Sequence, residues 1–275
     1  MANRAIALAR STHPGPAIAV TIVAIVLAVG AGLEPWRVIL VGLAVAANQA
    51  SVGLSNDWLD AERDTAVGRT DKPVALGQVT ATAVRNASIV AAIVAIVLTV
   101  PLGWLATIAH TVFIGSAWSY NAGLKKTVFS LAPYIVSFGI LPAVVTLASA
   151  DPRFAAPWIL ATGALLGIAA HFANVLPDLD DDKATGVRGL PHRFGRRALG
   201  VTTYVVLAVA TVTAVLGAGA LGSATGLAAL LVNGVLAATG IALAARPTRL
   251  HFRLIIAAAL VIVAMLAFAG ELLYW

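Results

Sequence analysis

Nine stretches of this chain are apolar for long enough to cross a bilayer as helices, which is more apolar length than a soluble core can absorb. They run from Ala17 to Leu33, Trp36 to Leu54, Val84 to Val100, Trp104 to Tyr120, Val128 to Ala148, Trp158 to Leu176, Leu199 to Leu216, Leu221 to Ala244 and Leu254 to Tyr274. Hydrophobic residues make up 60% of the 275 and charged ones 11%, against roughly 25% charge in soluble proteins. The reading is all-α: a polytopic membrane bundle of nine transmembrane helices, one domain over residues 1–275. Glu34-Pro35 and Pro101-Leu102-Gly103 read as tight turns between antiparallel spans. Arg4 and Arg10 ahead of the first run resemble the flank of a signal peptide. The many spans that follow make that run a first membrane helix behind a short amphipathic segment.

Cysteine is absent, which excludes disulfides, thiolate nucleophiles and cysteine-held zinc or iron–sulfur centres. Any metal must sit on oxygen or imidazole. The net charge of +6 would point to nucleic acid in a soluble protein. Membrane proteins gather Lys and Arg in cytoplasmic loops for topological reasons, so no nucleic-acid partner is expected. With the N-terminus inside, the inner segments hold Arg4, Arg10, Arg63, Arg69, Lys72, Arg85, Lys125, Lys126, Lys183, Arg188, Arg193, Arg196, Arg197, Arg246, Arg249 and Arg253. Of the 18 basic residues only Arg37 and Arg153 remain outside. That partition supports a multi-pass protein of the cell membrane with a cytoplasmic N-terminus.

Acidic residues obey no such rule, yet they cluster in two of the inner connections. Asp57, Asp60, Glu62, Asp64 and Asp71 follow the second run, and Asp178, Asp180, Asp181 and Asp182 follow the sixth. Within them, Asn56, Asp60 and Asp64 are spaced by four, and so are Asn174, Asp178 and Asp182. Four residues is slightly more than one helical turn, which places each trio on one face. Glu62 and Asp180 point elsewhere and are expected to face solvent, while Asp57 and Asp181 are candidates to join the site. The matched spacing suggests related halves that bring the two motifs together at one cytoplasmic mouth. Carboxylates crowded at a low-dielectric edge repel one another and need compensating cations. Mg²⁺ prefers oxygen ligands and typically combines one or two carboxylates with phosphate and water. Two acidic motifs around one cleft are therefore suited to hold metal ions that hold a diphosphate, with Arg69, Lys72, Lys125, Lys126 and Arg188 neutralising the remaining charge.

These residues resemble the signature of the UbiA family of intramembrane prenyltransferases, NDxxDxxxD after helix two and DxxxD after helix six. Here they are Asn56-Asp57 with Asp60 and Asp64, then Asp178 with Asp182. Tyr120-Asn121-Ala122-Gly123-Leu124-Lys125-Lys126 resembles the family's Tyr-Ser-x-x-Leu-Lys-Arg segment. The resemblance implies a nine-helix bundle with a lipid-facing opening, a chamber for the prenyl chain and two Mg²⁺ ions bridging the diphosphate to the motifs. It assigns Asn56, Asp60 and Asp64 to one metal and Asp178 and Asp182 to the other, with the four aspartates catalytic. Arg69, Lys72 and Lys125 would contact the diphosphate, with Asp57, Tyr120, Asn174 and Arg188 completing the substrate site. Three departures stand out: Val175 where many relatives carry an additional Asp, Lys72 where Arg often precedes the Pro, and Asn121 in place of Ser.

The implied reaction takes an isoprenoid diphosphate donor, forms an allylic cation as diphosphate leaves, and passes it to a lipophilic or aromatic acceptor, such as a quinone precursor, within membrane lipid. A cyclase of the same superfamily, ionising the diphosphate with no acceptor, is the nearest alternative. A cation-coupled transporter is more distant, because transporter sites lie near the midplane on broken helices. His171, three residues before Asn174, reads first as a hydrogen-bonded histidine inside the bundle. Trp58 reads as an interfacial anchor before a cation-stabilising ring.

Overall fold

A computed structural model describes residues 4–184, 186 and 189–275. The described residues form twelve α-helices: α1 (Arg4–Ser11), α2 (Pro14–Gly30), α3 (Pro35–Leu59), α4 (Ala61–Ala66), α5 (Ala81–Thr99), α6 (Trp104–Ala122), α7 (Ala132–Thr146), α8 (Pro157–Val175), α9 (Leu179–Ala184), α10 (Arg196–Gly217), α11 (Ala224–Ala242) and α12 (Leu250–Leu266). Each of the nine apolar runs lies mainly in one long helix, and among the described residues the only β pairing is a single bridge between Ala155 and Tyr274. Among the described residues five helices are long and apolar enough to cross a membrane, and six if α1 and α2, bent by 59° at their junction, count as one span. The short helix ahead of the first run is thus present, set at an angle to it.

Starts and stops follow local chemistry. Proline opens α2, α3 and α8, where its missing N–H costs nothing. Thr80 caps α5 by accepting from the Ala83 amide, and Ser223 caps α11 by accepting from Gly226. Successive neighbours α2, α3, α5, α6, α7, α8, α10, α11 and α12 pack side by side, and α12 returns to α2 to close the ring. Small residues permit the tightest approaches: a Cβ at Gly163 or Gly167 would collide with the carbonyls of Phe138 or Tyr134 on α7. Polar locks add direction. His110 on α6 sits 3.1 Å from Asn48 Nδ2 on α3 and 2.7 Å from Thr99 Oγ1 at the end of α5, and Asn233 on α11 donates to Thr211 on α10 at 3.1 Å. Large apolar side chains such as Ile39, Val97, Trp104, Leu231 and Val235 remain exposed, as lipid-facing residues are.

Candidate active site

Both acidic motifs lie where long helices give way to short ones. At the end of α3 the backbone changes direction at Asp60, with φ −93° and ψ 0°, yet the four-residue ladder continues: Asp60 N–H donates to Asn56 at 3.0 Å and Asp64 N–H to Asp60 at 2.8 Å. The spacing argument therefore holds across the bend. Asn56 Nδ2 donates to Asp60 Oδ2 at 3.1 Å. At the end of α8, Pro177 lacks an N–H and residues Leu176–Asp178 tighten into a 3₁₀ turn before α9.

The first motif is enclosed and densely paired. Lys125 donates to Asp60 Oδ1 at 2.5 Å, Lys72 to Asp57 Oδ1 at 2.6 Å and to Asn56 Oδ1 at 3.1 Å. Arg63 reaches Asp60 Oδ2 and Asp64 Oδ1, each at 3.4 Å. Burial draws the Lys125 ammonium below its ordinary value against the pull of Asp60. Burial also raises the Asp64 carboxyl, which Lys72 opposes and the neighbouring Asp60 reinforces. Arg69 turns to Asp71, donating at 2.9 and 3.0 Å, and Asp71 also accepts from Arg249 at 3.0 Å. Hydrogen bonds from Arg69, against the opposing effect of burial, hold the Asp71 carboxyl well below the usual range.

The two motifs share one mouth. Arg69 lies in the field of both Asp178 and Asp64, and Tyr120 in that of both Asp182 and Asp60. Beneath it a cavity of about 300 Å³ carries Asn56, Tyr120, Asn121 and Asn174 at its polar end and Leu27, Phe138, Leu141 and Leu266 in its apolar wall. Tyr120 meets Tyr134 edge-on at 5.1 Å, and Tyr134 stacks parallel to Phe138 at 6.0 Å. His192 Nε2 lies 3.1 Å from Asp182 Oδ2.

The donor set suits Mg²⁺. All its candidate ligands are hard oxygens, and Asp64 Oδ2 is buried with no hydrogen-bond partner. Among the described residues no three carboxylate or imidazole groups gather closely enough to hold an ion alone. That pattern fits a metal completed by phosphate rather than an all-protein cage.

The structure brings Asn56, Asp57, Asp60, Asp64, Lys72 and Lys125 together in one hydrogen-bonded and ion-paired group, and Tyr120 and Asn174 line the chamber with Asn56. Arg188 lies outside the described residues, as does any statement about the Asp181 side chain. Glu62 is exposed and Asp180 pairs with Arg196 at 2.7 Å, both away from the cleft. Asn121, the departure from Ser, donates to Ser55 Oγ at 2.8 Å and to the Val52 carbonyl at 3.0 Å, so it ties α6 to α3 just below the motif. Val175 packs with Phe172, Leu176, Leu179 and Leu199, and that position is turned into protein. His171 is buried with Nε2 3.2 Å from Ser130 Oγ. Trp58 packs against the small cluster of Ala7, Leu54, Val79 and Val84.

One residue escaped sequence reasoning altogether. His13, at the bend between α1 and α2, places Nε2 2.8 Å from Asp57 Oδ1 and 3.1 Å from Lys72 Nζ. Its backbone is left-handed, φ 54° and ψ 64°, directly before Pro14. A non-glycine residue there costs about 1–3 kcal/mol, and a following proline disfavours it further. Gly53 admits this bend, since a Cβ there would strike the Thr12 carbonyl. Contiguous imidazole, proline and glycine at a helix break was the available signal.

The ring of membrane-type helices thus carries two acidic helix ends over one largely apolar chamber. The profile of the UbiA prenyltransferase family matches residues 17–251, and the chain belongs to that family. A digeranylgeranylglyceryl phosphate synthase from Korarchaeum cryptofilum is 26% identical over 159 residues, an alignment spanning 57% of this chain and 56% of that protein. The chain thus matches only about half the length of that curated relative. Among solved structures, a UbiA homolog from Aeropyrum pernix superposes with a TM-score of 0.72 at 18% identity, covering 89% of this chain and 96% of the other. A UbiA homolog from Archaeoglobus fulgidus bound to DMAPP and Mg²⁺ superposes at 0.63 and 13% identity, covering 94% and 99%. These superpositions show a shared fold.

Proposed function

We propose that this protein transfers a prenyl group from an isoprenoid diphosphate to a lipophilic or aromatic acceptor, in a single membrane domain of nine crossings whose N-terminus and active site face the cytoplasm. The observation that carries the reading is the shared mouth. Asn56 and Asn174, one from each motif, line the same apolar chamber, and Arg69 stands in the field of an aspartate from each. The Mg²⁺ and DMAPP bound by the Archaeoglobus homolog lend support.

In this reading Asn56, Asp60 and Asp64 hold one Mg²⁺, and Asp178 and Asp182 a second. When bound, the metal supplies charge stabilisation to the departing diphosphate. Lys72, Lys125, Arg69 and Arg188 bind its remaining oxygens, and Lys72, Lys125 and Arg69 are charge-assisted donors once each exchanges its carboxylate for phosphate. Tyr120 lines the chamber, and its ring supplies a π face to an allylic cation formed there. The apolar wall below orders the chain and excludes water, leaving the acceptor as the nucleophile.

The test is Mg²⁺-dependent diphosphate release from geranyl diphosphate by purified protein. Asp60→Asn and Asp178→Asn are each expected to lower it about 100- to 1000-fold while eluting as the folded protein. Release at the wild-type rate in both variants rejects the assignment.

A further inference from the structure

We propose that His13 is a catalytic residue of the transfer step, its Nδ1 taking the proton of a hydroxyl-bearing acceptor. The inference rests on the prenyl-transfer reading above and adds the acceptor's chemistry to it. Asp57 Oδ1 at 2.8 Å and Lys72 Nζ at 3.1 Å both approach His13 Nε2. They ask opposite things of one nitrogen: the carboxylate needs a proton there, the ammonium a lone pair. Lys72 already has Asp57 at 2.6 Å and Asn56 Oδ1 at 3.1 Å as acceptors. The carboxylate contact is also the shorter, so the proton belongs on Nε2, directed at Asp57. A neutral imidazole in that tautomer presents a lone pair at Nδ1, the arrangement of a base oriented by a carboxylate.

A lone pair selects its ligand. Ionised diphosphate brings no hydrogen to donate, whereas an acceptor hydroxyl does. The ring is placed to meet one: His13 lines the chamber beside Thr12 and Pro16, at the end that holds Asn56 and Asn174. Its side chain is 38% exposed while Asp57 is 1% exposed, so the imidazole bridges the buried motif and the open space. Glycine would satisfy the left-handed turn before Pro14 without strain; histidine there is held by what its side chain reaches.

In the step, the bond between C1 of the donor and the diphosphate oxygen breaks and its electron pair leaves on diphosphate. The acceptor oxygen gives a pair to C1, and its proton passes to Nδ1. No oxidant or reductant is involved.

The test separates ionisation from transfer. His13→Gly keeps the left-handed backbone and removes the imidazole, and His13→Asn tolerates the same backbone while offering Asp57 an amide. Purified full-length protein with Mg²⁺ and geranyl diphosphate is assayed for diphosphate release without acceptor, and for prenylated product with para-hydroxybenzoate, a phosphorylated glycerol monoether or a bacterial lipid extract. Product formation is expected to fall about 100-fold or more in both variants, and acceptor-free release by less than about tenfold. Added imidazole is expected to restore part of the transfer by His13→Gly. Transfer within about threefold of wild type in both variants overturns the inference. An equal fall in both readouts also overturns it, since His13 would then only support Asp57 and Lys72. Wild-type release with no prenylated product overturns it too, whereas no Mg²⁺-dependent release by wild type defeats the underlying reading instead.

Discussion

At the end of α3 the hydrogen-bond ladder runs on through Asp60 and Asp64, whereas at the end of α8 Pro177 interrupts it and the chain tightens into a 3₁₀ turn. The consequences reach the charges. Asp57, Asp60 and Asp64 are 1%, 6% and 2% exposed and are paired with Lys72, Lys125 and Arg63. Asp182 is 18% exposed beside His192, and Asp180 lies in solvent at 81%. One end is thus organised by cations of its own chain before any ligand arrives, while the other is more open to what enters. Equal spacing in sequence does not give equal enclosure, because enclosure depends on what packs around the helix end.

The sharpest way to break this contrast is to remove one carboxylate partner from each end. Lys125→Met leaves Asp60 buried without its ammonium, and stripping one partner from a buried pair costs about 3–5 kcal/mol. His192→Asn at the second end keeps a hydrogen-bonding group opposite Asp182 and is expected to cost less, about 1 kcal/mol. Thermal or denaturant unfolding in detergent measures both, and comparable losses would erase the distinction.

A smaller effect of opposite sign is expected at Asp64. Burial raises its folded pKa above the ordinary 3.8, so the folded state favours the protonated form and stability falls as pH rises through that raised value. Asp64→Asn should therefore raise the Tm of the metal-free protein near neutral pH, while abolishing transfer. A lower Tm for Asp64→Asn would show that its pairing with Arg63 outweighs burial.

The smallest effect belongs to Asp71, which joins the loop after α4 to the one before α12 through Arg69 and Arg249. Its folded pKa is depressed, so its contribution is complete above 3.8 and drains away as pH falls below that value. Asp71→Asn should flatten the acid limb of the stability profile and change neutral stability little, as expected for a partly exposed pair screened by solvent. An unaltered acid limb would remove the tie.

Much of this architecture can be read from residues alone, for an identifiable reason. Apolar runs report helices because each must satisfy its backbone internally in lipid. Four-residue spacing reports a shared face because it depends on local geometry alone. What stays hidden depends on distance along the chain. His13 meets Asp57 across 44 residues, and Asn121 meets Ser55 across 66. Lys125 could be read as a phosphate ligand, but its pairing with Asp60 needs the packing of α6 on α3. Four-residue spacing in the second motif took no account of Pro177, where the chain tightens into a 3₁₀ turn, and nothing local reports how much more exposed the following turn is.

The far end of the chamber carries one more lesson. One turn beyond Leu27, Gly30 lets α2 come so near α12 that a Cβ there would stand 2.8 Å from the Leu266 carbonyl oxygen. Leu27 and Leu266, which both line the chamber, are thereby set by a backbone approach that no rotamer change can relax. The separation of α2 and α12 at that level is a property of helix placement rather than of side-chain choice.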